Sequence, residues 1–181
     1  MSLETKNLKR YLESFGKQVV KESKGLLQSA KGSTALGNSI RFEVVKTDTG
    51  FDTLFYMDDY GTYLDKGVSG NKQQRSYVDY KGINRKSDYS YTTKGPPIDI
   101  LSKWIKKKGI KPKGTGRGRS KNTGQYISGL AYLISKKIKL HGIKSLSFFQ
   151  QPLGEGMKRL NNNILKEIKL DIQQYLVTFT K

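Results

Sequence analysis

The stretch SIRFEVVKTDTGFDTLFYMDD, residues 39–59, decides the fold predicted for this chain. Apolar and charged side chains alternate in its first part, with the apolar ones at Ile40, Phe42 and Val44. Because successive side chains of a strand point to opposite faces, this alternation predicts a half-buried strand over 39–46. The polar turn TDTG leads into a second, aromatic and β-branched strand predicted over 51–59. Together the two strands predict a β-hairpin.

Outward from the hairpin, apolar residues recur at helical spacing on both sides. Before it, the stripe Leu8, Leu12, Phe15, Val19 and Leu26 predicts one long amphipathic helix over 3–30. After it, a short helical turn is predicted over 59–68, and helices over 97–109, 125–142 and 153–177. Helix, hairpin, long excursion and three more helices predict a single α+β domain over residues 1–181.

The later helices carry their own predicted apolar faces. In 97–109 the face consists of Ile98, Leu101, Trp104 and Ile105, with Pro97 in the first turn. In 153–177 it consists of Met157, Leu160, Ile164, Ile168, Ile172 and Leu176. These faces are expected to be buried.

Two segments inside the domain, 68–96 and 111–124, are polar, basic and poor in aliphatic residues. The chain has a net charge of +19, and residues 60–124 hold 16 of its 34 basic residues but only 4 of its 15 acidic ones. Segments that bury little apolar area do not offset the entropy of ordering. Both are therefore predicted to be long basic loops, largely disordered in the free protein, with one short extended pair between SYVDY and YSYTT.

Candidate catalytic groups are sparse. The chain has no cysteine and one histidine, His141, at the predicted end of a helix, where a solvent-facing or hydrogen-bonded structural role is expected. The densest acidic cluster is Asp58, Asp59 and Asp65, which could bind magnesium or act as acid and base, although acids after a strand usually mark a solvated turn. No Walker loop or dinucleotide fingerprint is present. No enzymatic activity, catalytic residue, metal or cofactor is predicted, and neither a signal peptide nor a membrane span is expected.

Seven of the eleven tyrosines lie within residues 56–91, among basic residues. Tyrosines that stack on bases beside lysines that neutralise phosphates would suit nucleic acid. Tyrosine-rich segments also form protein interfaces. The sequence leaves both interpretations open. The candidate interface residues are Tyr60, Tyr63, Tyr77, Tyr80, Tyr89 and Tyr91. The candidate contacts to a polyanion or an acidic partner are Lys111, Lys113, Arg117, Arg119 and Lys121.

From about residue 8 to residue 176, the chain resembles the minor tail, or neck and tail-completion (head–tail connector), proteins of tailed bacteriophages. The long helix leads to GNSIRFEVV, then to DYGTYLDKGVSG, and the chain closes with SFFQQPLGEGMKRLNNNILKEI, in which an aromatic–proline signal precedes the last helix. The residues at the motif positions are Leu36, Ser39, Ile40, Tyr60, Tyr63, Leu64, Asp65, Gly67, Phe148, Phe149 and Pro152. The segments LSKWIKKKGIKP and LAYLISKKIKLHGIK fit a variant of the same pattern.

This resemblance implies a structural virion protein with a long helix packed on a small antiparallel sheet. It implies a ring between capsid and tail, with adjacent connector, portal or tail proteins as partners. The protein would reside in the virion, and in the host cytoplasm during assembly. The basic loops are longer than in the family pattern, so contacts of these loops, including nonspecific contact with packaged DNA, do not carry over from the resemblance. The alternative is a basic nucleic-acid-binding protein.

Overall fold

The computed structural model describes residues 5–31, 35–110, 117–119 and 126–179, with the backbone alone for residues 31, 117–119, 126–128 and 177–179. In chain order the elements are α1 (Lys6–Lys31), α2 (Ala35–Ser39), β1 (Arg41–Thr47), β2 (Gly50–Tyr56), α3 (Tyr60–Lys66), β3 (Ser76–Val78), β4 (Asn84–Lys86), α4 (Ile98–Lys107), β5 (Arg117–Arg119), β6 (Tyr126–Ser128), α5 (Gly129–His141) and α6 (Gln150–Phe179).

The chain divides into two compact units. Unit 1 comprises Met1–Asp65, Val78–Asn84 and Leu146–Lys181. Unit 2 comprises Lys66–Tyr77 and Arg85–Ser145. None of the helices within the described ranges is long and apolar enough to cross a membrane.

The predicted hairpin is confirmed. Strands β1 and β2 pair antiparallel from Arg41 opposite Tyr56 to Thr47 opposite Gly50, so only two residues form the turn. One face of the hairpin packs on α1, where the Phe15 and Phe55 rings meet edge-on with their centroids 6.1 Å apart. The α+β prediction, with a long N-terminal helix on a small antiparallel sheet and further C-terminal helices, is therefore confirmed.

Helix α6 packs along α1 in the antiparallel direction and completes unit 1. Near its start, Gly156 lies so close to α1 that an added Cβ would be 2.8 Å from the Phe15 ring. Near its other end, Asp171 accepts hydrogen bonds from the first turn of α1. The buried core beside these helices consists of Leu27, Leu36, Ile40 and Phe148. The fold of unit 1 thus brings together residues that lie more than a hundred positions apart.

Unit 2 is built on α4 packed against α5, with β6 lying against both helices. Residues 70–75 cover the C-terminal end of α5: the Asn71 and Lys72 amides donate to the Lys139 and Leu140 carbonyls, and Arg75 Nε donates to the His141 carbonyl. These bonds satisfy carbonyls that a helix end leaves without partners. The role expected of His141 is consistent with this position, since its side chain is exposed.

Residues 68–96 are predicted to be largely disordered in the free protein, whereas the structure gives them defined backbone contacts. Val68 bridges to Ile143, and the Ser69 and Tyr91 amides donate to the Tyr89 and Ser69 carbonyls. The predicted pairing of SYVDY with YSYTT is wrong, because β3 pairs with β4 instead. The segment is held by hydrogen bonds between polar groups, so its low aliphatic content is not a sign of missing structure.

Other boundaries differ as well. Residues 126–128 form β6, so α5 begins at Gly129, later than predicted. Part of the predicted loop 111–124 is a strand, because Arg117–Arg119 pair antiparallel with Tyr126–Ser128. The rest of that loop lies outside the described residues. Helix α6 begins earlier than predicted, at Gln150, since proline is tolerated in the first turn, where Pro152 lies.

Two predicted apolar faces are corrected. In α4, Ile105 is buried but Trp104 is 44% exposed. In α6, the predicted stripe is half-buried as far as Ile168, whereas Ile172 and Leu176 are exposed and Asp171 is buried in their place.

Candidate functional surfaces

Seven of the eleven residues that carry the family resemblance lie in unit 1 around the start of α6 and are defined here as the motif cluster: Leu36, Ser39, Ile40, Leu64, Asp65, Phe148 and Phe149. Leu36, Ile40 and Phe148 are in the buried core, and Leu64 and Phe149 pack against it. The Ser39 hydroxyl donates to the Leu36 carbonyl and accepts from the Asp58 amide. These positions, spread from residue 36 to residue 149, therefore have a shared structural role.

Asp65 is the polar centre of the motif cluster and is only 2% exposed. Its Oδ1 accepts hydrogen bonds from the Phe149 amide at 2.8 Å and the Gln150 amide at 3.4 Å. Free amides at a helix N-terminus favour a carboxylate, through both hydrogen bonding and the helix dipole. Asp65 thus caps α6 from a distant part of the chain, so this member of the acidic cluster has a structural explanation.

Gly67, another residue of the resemblance, belongs to unit 2. Its φ of +75° is in the left-handed region, and an added Cβ would be 2.8 Å from the Ile143 carbonyl oxygen. Only glycine fits such a position without strain.

The other acidic candidates do not form a site. Asp58 and Asp59 are exposed, as expected of a solvated turn. Within the described ranges, no group of three or more histidine, cysteine, aspartate or glutamate side chains could hold a metal ion.

A shallow groove of about 290 Å³ lies in unit 1 between the hairpin turn and the ends of α1 and α6. Asp171, 1% exposed, is the buried carboxylate in its lining. Its oxygens accept from the Asn7 and Leu8 amides at 3.0 Å each and from Asn7 Nδ2 at 2.9 Å. Asp171 therefore caps α1, as Asp65 caps α6, and its carboxylate is engaged in the fold.

The six candidate interface tyrosines are divided between the units. Tyr60, Tyr63 and Tyr80 belong to unit 1 and are exposed, the first two at 45% each. Tyr77 in unit 2 is buried, and Tyr89 and Tyr91 are half-buried. Tyr77 is engaged within unit 2, where the Lys66 ammonium lies 5.7 Å from its ring centroid. The structure therefore leaves the unit 1 tyrosines as the exposed members of the set.

Of the exposed tyrosines of unit 1, Tyr80 lies against the start of α6. Tyr80 is placed by its amide, which donates to Gln150 Oε1 at 3.0 Å, and by its carbonyl, which lies against Gly154. Asp79 closes this turn by accepting from the Lys81 and Ile83 amides. We call the following residues the aromatic surface: Tyr60, Tyr63, Val78, Tyr80 and Ile83, all exposed.

A basic surface lies on α4 in unit 2. Lys103, Lys106, Lys107 and Lys108 are all exposed, beside Trp104. Unit 2 contains 19 of the chain's basic residues but only 2 acidic ones, whereas unit 1 contains 15 and 13. Of the predicted polyanion contacts, Arg117 and Arg119 are described only as backbone in β5, and Lys111, Lys113 and Lys121 lie outside the described residues.

Sequence reasoning missed three features of these surfaces. It assigned the excess charge to loops and placed Trp104 in the core, although a helical wheel of α4 puts Lys103, Trp104 and Lys107 on one side. It did not single out Asp171, whose signal is an acid three residues after Ile168 on an apolar stripe. It also did not anticipate that the glycines of LGEG allow α6 to approach Tyr80 and Phe15 closely.

No protein-family model, curated protein or solved structure matches this chain. The resemblance to phage neck and tail-completion proteins therefore stays a prediction.

Proposed function

We propose that this chain is a structural subunit of a tailed-phage virion. It would be a head–tail connector, neck or tail-completion protein that assembles as a ring between the capsid portal and the tail. Its partners would be further copies of itself and the adjacent connector, portal or tail proteins. No enzymatic activity is proposed.

The observation that carries this proposal is the motif cluster. The resemblance rests on short motifs separated by long stretches of chain, and the polar position Asp65 joins them through hydrogen bonds to the Phe149 and Gln150 amides. Leu36, Ile40 and Phe148 share one core, and Asp65 caps the helix that follows Phe149. The motifs thus behave as parts of one folding unit, which supports treating the resemblance as a likeness of fold.

The aromatic surface adds a second support. Tyrosine is enriched in protein interfaces, and unit 1 exposes these three tyrosines and two aliphatic residues. Within the described residues no third strand pairs with β1 or β2, so the hairpin also has unpaired edges. An open strand edge is a template for pairing with another chain. Both features suit a subunit whose surface is completed by assembly.

The test is to locate the protein in virus particles. Virus particles released by cells whose genome encodes this chain would be purified. They would then be examined by mass spectrometry and by immunogold electron microscopy. The proposal predicts the chain in the particle, with label at the head–tail junction or the tail. Particles that are complete without the chain would contradict it.

A variant pair tests the role of the aromatic surface. Tyr60→Ser with Tyr63→Ser removes two exposed rings from unit 1, whereas Tyr132→Ser removes one from unit 2 that is 50% exposed. We expect the double variant to fold and to be lost from particles, and the control to be incorporated normally. Equal incorporation of both would exclude these tyrosines as interface residues.

The alternative function, a basic nucleic-acid-binding protein, is favoured by the charge of unit 2. It predicts nucleic-acid binding without any presence in particles. A third possibility is a magnesium-dependent nuclease that uses Asp58 and Asp59. It predicts metal-dependent cleavage that is lost in the variant Asp58→Asn/Asp59→Asn. We expect no cleavage by the unaltered chain or by the double variant.

A further inference from the structure

The positive charge of this protein is concentrated in unit 2. Unit 2 contains 19 basic and 2 acidic residues, the acids being Asp88 and Asp99. Unit 1, with 15 and 13, is close to neutral. A field of one sign over one compact unit attracts a polyanion to that unit in particular.

Helix α4 supplies the best-defined part of that field. Ile105 is buried toward the rest of unit 2, and Leu101 is half-buried on the same side. The opposite side carries Lys103, Trp104, Lys106 and Lys107, all exposed, which we call the α4 basic face. Asp99 and Ile100, also exposed, lie on the same side in the first turn of α4. These lysines make no ion pair within the described part of the chain, so their charge is available to a ligand.

We infer that the α4 basic face binds the phosphate backbone of nucleic acid without regard to base sequence. This goes beyond the proposed function and does not depend on it. A ring subunit and a free protein could both contact nucleic acid in this way.

Nucleic acid fits this face better than an acidic protein surface. Lysine is depleted in protein–protein interfaces, whereas protein–DNA interfaces are much more positively charged. Of the 19 basic residues of unit 2, 15 are lysines. A helix of ten residues is about 15 Å long, and duplex DNA carries roughly one charge per 1.7 Å of its axis. Several lysines of this one short helix can therefore contact phosphates of the same duplex at the same time.

The residue types also favour backbone contacts over base recognition. Reading a base edge uses bidentate donors or acceptors such as arginine, asparagine or glutamine. Lysine acts as a point charge that suits a phosphate oxygen. The face contains four side chains, of which three are lysines and none is arginine, asparagine or glutamine.

The chain carries its own reporter of binding here. Trp104 is the single tryptophan, and it lies in the α4 basic face, 44% exposed. A 20-base-pair DNA duplex titrated into the full chain should change the Trp104 fluorescence, and fluorescence anisotropy of labelled duplex gives the affinity. Binding should be equal for unrelated sequences, and it should weaken steeply as salt rises.

The variant Lys103→Gln/Lys106→Gln/Lys107→Gln tests the face, and Lys17→Gln/Lys21→Gln/Lys24→Gln is its matched control. The control removes the same charge from exposed positions of α1 in unit 1. We expect the α4 variant to bind at least about tenfold more weakly in 0.1 M salt. Its slope of log K against log salt should be shallower by about 2–3, at roughly 0.9 per phosphate contact. The control should stay within about twofold.

Four results would overturn the inference. One is no duplex binding by the unaltered chain. A second is an equal loss of duplex affinity in the two triple variants. A third is binding that persists at 1 M salt or depends on sequence. The fourth is competition by polyglutamate as effective as that of DNA at equal charge, which would point to an acidic protein instead.

Circular dichroism confirms that both variants are folded. Because the readout needs no particle, failure here leaves the ring proposal intact, and absence from particles leaves this inference intact.

Discussion

Unit 1 and unit 2 differ in net charge and in the number of buried hydrophobic residues. Unit 1 holds seven of the eleven buried hydrophobic residues of the described chain, and its basic and acidic residues nearly balance. Unit 2 holds the other four, Val68, Tyr77, Ile105 and Ala131, and carries 17 more basic than acidic residues. Because like charges repel each other, this excess positive charge opposes the compact state of unit 2.

This difference shows that the larger apolar core and the excess positive charge belong to different units, so that each can be altered separately. In unit 1 an apolar core and two buried carboxylate caps hold long helices together. In unit 2 the segment before α4 is held mainly by hydrogen bonds between polar groups and short bridges. Substitutions in the core of unit 1 should therefore act on stability, and charge substitutions on the surface of unit 2 should act on nucleic-acid binding. The predictions below test this division, from the largest expected effect to the smallest.

The largest effect is expected for Phe148→Ala, because this ring is completely buried in the core of unit 1. Removing a buried phenylalanine leaves a cavity and lowers the free energy of unfolding by about 3–5 kcal/mol. Urea unfolding followed by far-UV circular dichroism measures it. Tyr132→Ala, an exposed ring in unit 2, is the control and should change stability by no more than about 0.5 kcal/mol. A loss below about 1 kcal/mol for Phe148→Ala would place this ring outside the core.

The next effect is expected for Asp171→Ala, which removes the acceptor of three hydrogen bonds from Asn7 and Leu8. Leaving these helix-terminal donors without an acceptor should cost about 2–3 kcal/mol. Hydrogen exchange in the first turn of α1 should accelerate. Asp58→Ala, an exposed carboxylate, should leave stability and exchange unchanged. Similar behaviour of both variants would show that Asp171 is not a cap.

Two glycines of α1 should respond in opposite directions to the same substitution. Gly16→Ala places a methyl group in the Phe42 ring of the hairpin, and such overpacking costs about 1–3 kcal/mol. Gly25→Ala meets nothing within 4 Å and should stabilise the helix by about 0.5–1 kcal/mol. The two midpoints in urea measure this contrast. Midpoints that shift in the same direction would contradict the packing of the hairpin on α1.

The smallest effect is expected in unit 2, for Ser87→Ala. The buried Ser87 hydroxyl donates to the Gly67 carbonyl at 2.6 Å and accepts from the Tyr89 amide at 3.3 Å. Its loss should cost about 1 kcal/mol and speed exchange of the Ser69 and Tyr91 amides. Ser90→Ala, at an exposed position nearby, is the control. If these amides exchange at unstructured rates in the unaltered protein, the original prediction of disorder for 68–96 is correct.

Much of unit 1 could be predicted from sequence because its signals are local. Alternation at Ile40, Phe42 and Val44 and the spacing of Leu12, Phe15 and Val19 each reflect one element with one buried face. The start of α6 was placed too late because Pro152 was treated as a boundary, although proline is compatible with a first helical turn. The capping carboxylates Asp65 and Asp171 could not be paired with their helices, since each partner lies more than 80 residues away.

Unit 2 was less predictable because its order depends on contacts that leave little periodicity. Strands of three residues, such as β3 and β4, are too short for a pattern of alternation. The charge was recognised, but a contiguous window over 60–124 mixes residues of both units and omits Lys136, Lys137 and Lys144. Only the tertiary structure shows that nearly all of the excess charge belongs to one unit. The same holds for Trp104, whose exposure depends on which side of α4 meets α5.

Hydrogen exchange measured by mass spectrometry, with and without duplex DNA, tests the division between the units most directly. The account predicts slower exchange in peptides covering α4 when DNA is present, and unchanged exchange in peptides covering α1 and α6. It also predicts that this protection disappears in Lys103→Gln/Lys106→Gln/Lys107→Gln. Protection confined to α1 or α6, or spread equally over both units, would contradict the separation of fold and charge.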